Sequence, residues 1–462
     1  MFVARNNELN KLEKLYKRLE FQCVIIYGRR RVGKTALIRE FCKNKKTIFF
    51  IAREANDKLN LENFSMQTMS TLSNTDSLEI SFKSWDDAFN FIGKKAKDEK
   101  IILVIDEYPY LASANRSISS ILQAHIDIEL KDSKLFIILC GSSMSFMEEQ
   151  VLGYESPLYG RRTAQFKIEP LNFFDSKKFH VKYNIYDRAL IYGITGGIPQ
   201  YLLKLNNETS IKENIIENIL DENSYLFEEP SNILKQELRE PAIYNTLIEA
   251  IAKGATRVNE IATKTGIESN KCSKYLGSLI SLGIVKREKP VCEKQEKRSI
   301  YVLEDQLFRF WYRFIPNNLT SIVSGLSDYV YDNNIKPQIP RFMGSVFEKI
   351  CIQYMIKMNV SMKLPFVFSN IGRWWGNNPI LKRQEEVDII AYNEDKAIIC
   401  ECKWNNEPVG SDVIDDLIAK GNIFKYREKH FYVFSKIGFK TSAFERISDN
   451  IKLISFIDMD LD

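Results

Sequence analysis

Two glycines, a lysine and a threonine stand at fixed spacing near the start of the chain. Gly28, Gly33, Lys34 and Thr35 fit the pattern G-x-x-x-x-G-K-[ST] and directly follow an apolar run at residues 24–27. Glycines permit a tight turn whose amide N–H groups point at one anion, and a helix beginning near Lys34 adds its positive end. The pattern predicts a loop that binds nucleotide phosphates.

The strand–loop–helix context favours this interpretation over the alternative, a chance glycine loop. We expect Lys34 to reach the outer phosphates and the hydroxyl of Thr35 to bind Mg²⁺. Contacts with the nucleotide are expected along the whole loop, including Arg29, Arg30, Arg31, Val32 and Ala36.

Polar residues also follow two later apolar runs. Residues 101–105 lead into Asp106 and Glu107, and residues 135–140 lead into Gly141 and two serines. Buried apolar strands that alternate with helical stretches are typical of a parallel sheet covered on both faces. The carboxyl ends of such strands meet at one edge, where these polar residues and the loop would gather.

Each of these strand-end residues has an expected role. Asp106 would hold the Mg²⁺ that Thr35 also binds, and Glu107 would orient or deprotonate the attacking water. Ser142 would hydrogen-bond that water or the γ-phosphate, although Ser143 is an alternative. Ordinary solvated strand ends are the other interpretation.

The overall composition restricts the class of protein. The chain has 462 residues, 45% hydrophobic and 27% charged, with a net charge of +5, so nucleic-acid contacts would come from local patches. No apolar run reaches the roughly 18 residues of a membrane span, and the start lacks the apolar core of a signal peptide. Three histidines and no cysteine pair at zinc spacing make a zinc site unexpected. We predict a cytoplasmic protein without membrane contact.

The first 240 residues resemble the archaeal-type ATPases of the AAA+/STAND superfamily. Besides the phosphate loop, the resemblance rests on residues 105–108, 140–143, 156–162 and 195–202. It implies ATP and Mg²⁺ as ligands, ATP hydrolysis, and a switch function.

The resemblance also implies roles for residues outside the strand ends. Pro199 would pack on the adenine, and the leader at residues 2–8 would border it, with Ala4 where relatives usually have glycine. Arg161 or Arg162 would act as an arginine finger on the γ-phosphate, and a finger supplied by a neighbouring subunit implies a homo-oligomer on ATP binding. A solvated basic turn is the alternative.

Residues 241–315 contain three helical stretches followed by two short strands around a charged loop, a pattern that looks like a winged helix-turn-helix. Lys271, Ser273 and Lys274 would lie on the recognition helix, with Lys286, Arg287 and Lys289 on the wing. These residues could contact DNA phosphates. A lid extension or a protein contact is an equally weighted alternative.

The end of the chain carries a second set of polar residues. If the two strands around 394–395 form a hairpin, Asp388 faces Glu401, and Lys403 shares the face of Glu401. Two opposed carboxylates repel each other, and Mg²⁺ bound between them would make the arrangement favourable. Glu348, on a helix predicted over 342–358, would complete the metal site. Lys403 would hold a water or neutralise developing phosphate charge.

This arrangement resembles the PD-(D/E)xK nuclease core and the C-terminal domain that accompanies archaeal-type ATPases, although Val387 replaces the name-giving proline. The resemblance implies Glu401 and Lys403 as catalytic residues acting on nucleic acid, with DNA favoured. The alternative interpretation of these residues is an ordinary solvated hairpin. At the level of function, the alternative is an ATP-gated signalling or scaffold protein whose inactive nuclease-like domain binds an unknown protein.

We therefore predict an α/β protein: a P-loop parallel sheet with a helical lid, a winged helix-turn-helix, and a C-terminal restriction-endonuclease-like α/β domain. The expected domains are, in chain order, residues 1–170, 171–240, 241–315 and 335–462.

Overall fold

The structure is a computed structural model that describes residues 2–72, 81–292, 298–378 and 382–461. The chain forms two compact units. The N-terminal unit comprises the residues up to Leu171 together with Ile198–Gln200, and the C-terminal unit comprises Asn172–Gly197 and the residues from Tyr201 onward.

Helices and strands alternate along the N-terminal unit, as the apolar runs predict. In chain order they are α1 Asn6–Tyr16, β1 Gln22–Tyr27, α2 Lys34–Cys42, β2 Thr47–Ile51, α3 Asp57–Leu72, α4 Trp85–Asp98, β3 Ile102–Asp106, α5 Tyr108–Ala114, α6 Ile118–Ile128, β4 Phe136–Gly141, α7 Met144–Phe146 and β5 Ala164–Lys167.

The strands of this unit form one sheet in the order β2–β3–β4–β1–β5, and every neighbouring pair is parallel. Strands β1, β3 and β4 are buried along their whole length because helices cover both faces. Ile25 and Leu103 pack into the core on one face, while Val24 and Val104 pack into the core on the other. Full burial of each such side chain contributes about 1.5–3 kcal/mol. The predicted parallel sheet is confirmed.

After residue 171 the chain is helical as far as Glu237 and then becomes mixed. The elements are α8 Phe173–Ser176, α9 Ile185–Thr195, α10 Pro199–Leu202, α11 Ile211–Ile219, α12 Tyr225–Glu237, α13 Pro241–Ala252, α14 Val258–Thr265, α15 Ser269–Ser281, β6 Val285–Glu288, β7 Ile300–Leu303, α16 Gln306–Phe314, α17 Leu319–Val323, α18 Ser327–Val330, α19 Ile339–Val360, β8 Asn370–Asn378, β9 Arg383–Tyr392, β10 Lys396–Lys403, α20 Ser411–Gly421, β11 Glu428–Ser435, α21 Thr441–Phe444, β12 Ile451–Ser455 and α22 Asp458–Leu461.

The C-terminal unit holds a mixed sheet in the order β12–β11–β10–β9–β8. Strand β11 is parallel to both β10 and β12, whereas β9 is antiparallel to both β10 and β8. Residues 389–392 pair with residues 397–400 in the register that the hairpin hypothesis requires. This register places Asp388 and Glu401 next to each other beyond the last paired residues.

Helices α13, α14 and α15 precede the antiparallel pair β6–β7 in the same unit. Leu247, Ile261 and Leu276 come from the three helices and share one buried core with Ile284 and Leu303 of the hairpin region. This is the order of elements that the sequence predicts, and part of the predicted charged loop, residues 293–297, lies outside the described residues.

Across the described ranges, no helix is both long enough and apolar enough to span a bilayer.

Candidate functional site

The backbone between β1 and α2 requires glycine at two positions. Gly28 has φ 155°, and a Cβ there would lie 2.3 Å from the carbonyl oxygen of Ile168. Gly33 has φ 90°, a conformation that residues with a Cβ rarely adopt, and α2 begins at the next residue. The loop therefore turns back on itself and presents its amides at the start of a helix, as anion binding requires.

Lys34 is buried at this turn. Its Nζ donates hydrogen bonds to the carbonyl oxygens of Gly28 at 2.9 Å and Arg29 at 3.0 Å. Burial lowers the pKa of Lys34, while the nearby Glu107 and Asp106 act in the opposite direction. The ammonium group is thus held inside the loop, beside the carboxylates at the end of β3.

Thr35 and Asp106 lie in direct contact across the sheet edge. The hydroxyl of Thr35 donates to Asp106 Oδ2 at 2.8 Å, and the Glu107 N–H donates to Asp106 Oδ1 at 3.0 Å. Asp106 is only 3% exposed. A hydroxyl and a carboxylate fixed side by side are the oxygen donors that Mg²⁺ prefers, so the residues fit the predicted metal.

Glu107 and Ser142 meet because β3 and β4 are neighbours in the sheet. The hydroxyl of Ser142 donates to Glu107 Oε2 at 2.9 Å and lies 3.2 Å from Oε1. Glu107 has φ 54°, a strained conformation for this residue type that aims its side chain at the strand ends. Of the two candidate serines, Ser142 is the one that contacts Glu107.

The leader contacts the phosphate loop through Arg5, whose role the sequence reasoning missed. Its guanidinium donates to the carbonyl oxygens of Val32, at 3.2 Å, and Glu169, and it pairs with Glu8 at 3.1 Å. Ala4 and Arg5 are both left-handed, with φ 65° and 67°. An arginine three residues before a glutamate at a helix start was the available signal, but the carbonyl partners are distant in sequence.

Pro199 lies beside the loop within the N-terminal unit. A Cβ on Gly33 would lie 3.7 Å from Pro199 Cγ, and the Gln200 N–H donates to the Arg31 carbonyl oxygen at 3.5 Å. Arg30 donates to the hydroxyl of Tyr110 at 3.2 Å. The structure therefore brings Pro199 to the phosphate loop, and its contact with adenine stays a prediction.

Arg161 and Arg162 make contacts away from the loop. Arg161 forms a bidentate pair with Asp127, with Nη2 at 2.8 Å from Oδ2, and Arg162 Nη1 donates to the Leu152 carbonyl oxygen at 3.4 Å. The hydrogen bond from Arg161 lowers the pKa of Asp127. These contacts do not join either arginine to the phosphate loop, and the finger role stays a prediction.

In the C-terminal unit, Asp388 lies directly beyond the last paired residues of β9 and β10. The Cys402 N–H donates to Asp388 Oδ2 at 2.7 Å, so the side chain takes the place of a backbone acceptor. Burial and the neighbouring carboxylate of Glu401 raise the pKa of Asp388 to about 6. The two opposed acids therefore interact unfavourably, as the register predicts.

Two lysines hold Glu401. Lys403 Nζ lies 2.6 Å from Glu401 Oε1, and Lys420 Nζ lies 3.3 Å from Oε2. Lys420 also pairs with Asp416 at 3.0 Å on α20. Sequence reasoning missed Lys420. The i,i+4 spacing of Asp416 and Lys420 signals a helical ion pair, but nothing in the sequence points from that helix to Glu401.

Glu348 lies on α19, and Arg373 Nε is 3.3 Å from its Oε2. Burial and the charge of Asp388 raise the pKa of Glu348 to about 8. Arg373 also pairs with Glu288 of β6 at 3.3 Å and with Glu386 of β9. In the described part of the chain, no group of three or more His, Cys, Asp or Glu side chains is arranged to hold a metal ion. The Mg²⁺ site of Glu348, Asp388 and Glu401 stays a prediction.

Helix α15 presents the basic residues of the predicted recognition helix to solvent. Lys271, Ser273 and Lys274 are exposed, whereas Cys272 and Leu276 are buried. On the hairpin Lys286, Arg287 and Lys289 are also exposed. The basic residues are accessible to a phosphate backbone, and DNA contact stays a prediction.

Two family models match separate parts of the chain. Residues 2–205 match a family described as an ATPase domain predominantly from Archaea. Residues 311–414 match a family described as archaeal and bacterial proteins of unknown function.

Among relatives, an uncharacterized protein of Methanocaldococcus jannaschii is 35% identical over 409 residues, which are 88% of either chain. An uncharacterized ATP-binding protein of the same organism is 52% identical over 46 residues, 10% of this chain and 78% of that one. Among solved structures, the Walker-type ATPase of Pyrococcus abyssi has a TM-score of 0.54 at 20% identity, covering 68% of this chain and 96% of its own. At this identity, the similarity to the Pyrococcus abyssi ATPase shows a shared fold alone.

Proposed function

Because the chain belongs to the archaeal ATPases that carry this C-terminal domain of unknown function, we propose that it is an ATP- and Mg²⁺-dependent switch. The switch would act on DNA through its C-terminal domain. The observation that supports the ATP-hydrolysing part best is the double contact at one sheet edge, Thr35 with Asp106 and Ser142 with Glu107. It supports the proposal that Thr35 and Asp106 bind the metal and that Glu107 acts as the base, positioned by the Ser142 hydroxyl.

The proposed hydrolytic steps use residues already in contact. The loop amides and Lys34 would bind the β- and γ-phosphates, and Thr35 and Asp106 would hold Mg²⁺, which would supply charge neutralisation on the phosphates. Glu107 accepts a proton from the attacking water, and Ser142 keeps its carboxylate in place. Each side chain lies on a strand end or at the start of α2, so the geometry is fixed before the reaction.

Replacing Lys34 by Ala tests the nucleotide site. Fluorescent ATP titration should show loss of binding by at least about tenfold, because Lys34 supplies the charge that faces the outer phosphates. Lys43→Ala is the matched control, since this lysine is exposed at the end of α2 and pairs with Glu40. Strong ATP binding by Lys34→Ala would overturn the assignment.

For the C-terminal domain we propose metal-dependent cleavage of DNA by Asp388, Glu401 and Lys403. The carboxylates are adjacent, and Lys403 lies 2.6 Å from Glu401, where its ammonium can contact a scissile phosphate. Burial lowers the pKa of Lys403, but Glu401 outweighs this and raises it overall, so the ammonium stays charged. Since Lys403 and Lys420 both engage Glu401, metal binding requires that at least one of them releases it.

A cleavage assay tests this part of the proposal. Supercoiled and linear DNA would be incubated with Mg²⁺ or Mn²⁺, with and without ATP. We expect cleavage by the wild type and at least about 100-fold less by Glu401→Ala and Lys403→Ala. Lys396→Ala is the control at the other end of β10, because this lysine pairs with Glu428 instead.

One observation favours a second function. Both Glu401 oxygens are taken by lysines, and the described residues hold no group of three acidic ligands. A domain arranged in this way suits an ATP-gated scaffold that binds a protein partner without cutting DNA. Absence of cleavage under every condition, with ATP hydrolysis intact, would support this function and contradict the nuclease.

Assembly is part of the proposal because Arg161 and Arg162 contact neighbours other than the phosphate loop of their own subunit. In a homo-oligomer one of them would serve the γ-phosphate of the next subunit. Sedimentation velocity with and without ATP should show ATP-dependent assembly. If ATP hydrolysis proceeds at the same rate per subunit at all protein concentrations and without assembly, the trans finger is excluded.

A further inference from the structure

A cavity of about 260 Å³ lies within the C-terminal unit, apart from the Glu401 carboxylate and its two lysines. Its walls come from α13, β6, β7, α16, α19 and β8. Its lining includes apolar side chains such as Ile251, Val302 and Ile352. The charged residues of the lining are Lys286, Arg309, Lys349 and Arg373 together with Glu288, Glu304 and Glu348. An apolar body beside a few placed charges is typical of a small-molecule site.

Arg309 is the unusual member of this wall. Its Nη1 donates to Gln306 Oε1 at 3.1 Å, its Nη2 donates to the Phe342 carbonyl oxygen at 2.7 Å, and its guanidinium carbon lies 4.5 Å from the Phe342 ring centroid. All of these partners are neutral. Within the described ranges, no carboxylate oxygen lies within 4 Å of its guanidinium nitrogens.

The other cations of the wall have acidic partners. Lys349 pairs with Glu304 at 3.0 Å, and Arg373 pairs with Glu288 at 3.3 Å and with Glu348. Lys286 lies 3.7 Å from Glu288, so among the four cations of the lining Arg309 alone has no ion pair with a described carboxylate. Burial and the neighbouring charge of Arg313 lower the pKa of Arg309 to about 10, and the more distant Glu348 and Glu304 offset this only in part.

A buried guanidinium without a carboxylate is unfavourable, and buried charges in proteins are ordinarily paired. A guanidinium has five N–H donors, and the two hydrogen bonds of Arg309 leave others for a ligand. Carboxylates and phosphates match this planar donor set. An anion entering the cavity would supply the missing counter-charge.

We propose that this cavity binds a small organic anion, with a carboxylate or phosphate head on Arg309 and an apolar body against Ile251, Val302 and Ile352. The cavity volume limits the body to about the size of a single ring, since sites for larger ligands start at about 300 Å³. The site is separate from the ATP site and does not depend on nuclease activity.

Isothermal titration calorimetry on the full chain tests the proposal with two anions and two uncharged analogues. Benzoate and phenyl phosphate carry the two possible heads, and benzamide and phenol replace them with neutral groups. We expect at least one anion to bind at least tenfold more tightly than its neutral analogue. Arg309→Met should remove that preference, because it keeps an apolar stem and deletes the charge.

Arg313→Met is the matched control, since Arg313 lies one turn further along α16 and donates to Gln338. It should bind the anion as the wild type does. If Arg309→Met does not fold, Val302→Phe is the second variant, because it fills the apolar end of the cavity and leaves Arg309 in place. We expect it to lose binding. Equal binding of anions and neutral analogues by the wild type, or unchanged binding by a folded Arg309→Met or Val302→Phe, would overturn the proposal.

Discussion

The hydroxyl of Thr35 donates a hydrogen bond to Asp106 Oδ2 across 2.8 Å. The two residues are 71 positions apart, and their contact joins the start of α2 to the end of β3. Because both are fixed by buried elements, the proposed cation would meet ligands that need little rearrangement. Several consequences of this edge of the sheet can be measured.

Replacing Asp106 by Asn should lower kcat for ATP hydrolysis by at least about 100-fold, because the metal loses a charged ligand in the transition state. ATP binding measured in EDTA should stay within about threefold, since the loop amides and Lys34 remain. Asp98→Asn, an exposed change at the end of α4, is the control. Wild-type turnover by Asp106→Asn would contradict the metal role.

Glu107→Gln should retain ATP binding with Mg²⁺ and lower kcat by about 10²–10⁴, the range for loss of a general base. Ser142→Ala should have a smaller effect, about tenfold, because Ser142 only positions the Glu107 carboxylate. Single-turnover hydrolysis separates this step from product release. An effect of Ser142→Ala as large as that of Glu107→Gln would mean that Ser142 contacts the reacting atoms itself.

Ala4→Gly should stabilise the N-terminal unit by about 1 kcal/mol, because Ala4 has φ 65° and a left-handed residue with a Cβ costs about 1–2 kcal/mol. Part of this gain is offset by the greater freedom of glycine in the unfolded chain. Urea unfolding measures the change. Ala112→Gly, inside α5, is the control and should destabilise the protein by roughly as much. Destabilisation by Ala4→Gly would be the contrary result.

Stability should depend on pH through Glu348. Burial and the charge of Asp388 raise the pKa of Glu348 from 4.5 to about 8, so the folded chain binds this proton more tightly than the unfolded chain. The stabilisation is therefore present at pH 4.5 and is lost as pH rises toward 8, with a slope of at most about 1.4 kcal/mol per pH unit. Denaturant unfolding in EDTA across this range measures it.

Glu348→Gln should remove that slope, because the amide mimics the protonated acid at every pH. Its stability relative to the wild type should rise as pH increases. Glu394→Gln, at an exposed turn, should leave the pH dependence unchanged. Parallel pH profiles for wild type and Glu348→Gln would show that the carboxyl ionises normally.

The strongly patterned parts of the sequence predict the structure well. The apolar runs around Val24, Leu103 and Ile138 form strands because only a strand covered on both faces buries every side chain. The loop follows from Gly28 and Gly33, whose conformations other residues rarely adopt. The period of two along β9 and β10 gave the register that sets Asp388 beside Glu401.

The contacts that the sequence did not predict join residues that are far apart along the chain. Arg5 reaches the carbonyl of Glu169, and Lys420 reaches Glu401 from a helix that follows the motif. Long cationic side chains have many rotamers, and their local sequence resembles any solvated helix face. The ion pairs of Glu401 with Lys403 and Lys420 matter most among these contacts, because they change what the Glu401 carboxylate can bind.

The hairpin β6–β7 and strand β8 are tied together more closely than the predicted domain boundary suggests. The Val291 N–H donates to the Arg373 carbonyl oxygen at 2.9 Å, and Trp375 Nε1 donates to the Arg298 carbonyl oxygen at 3.3 Å. A Cβ on Gly372 would lie 2.5 Å from Val291 Cγ1.

Strand β8 is the edge of its sheet. A fragment cut at residue 335 would lose the segment that covers this edge and would expose unpaired backbone N–H and C=O groups to other chains. Arg373 would also lose Glu288. The fragment that can be excised without self-association therefore includes β6, β7 and the preceding helices α13–α15.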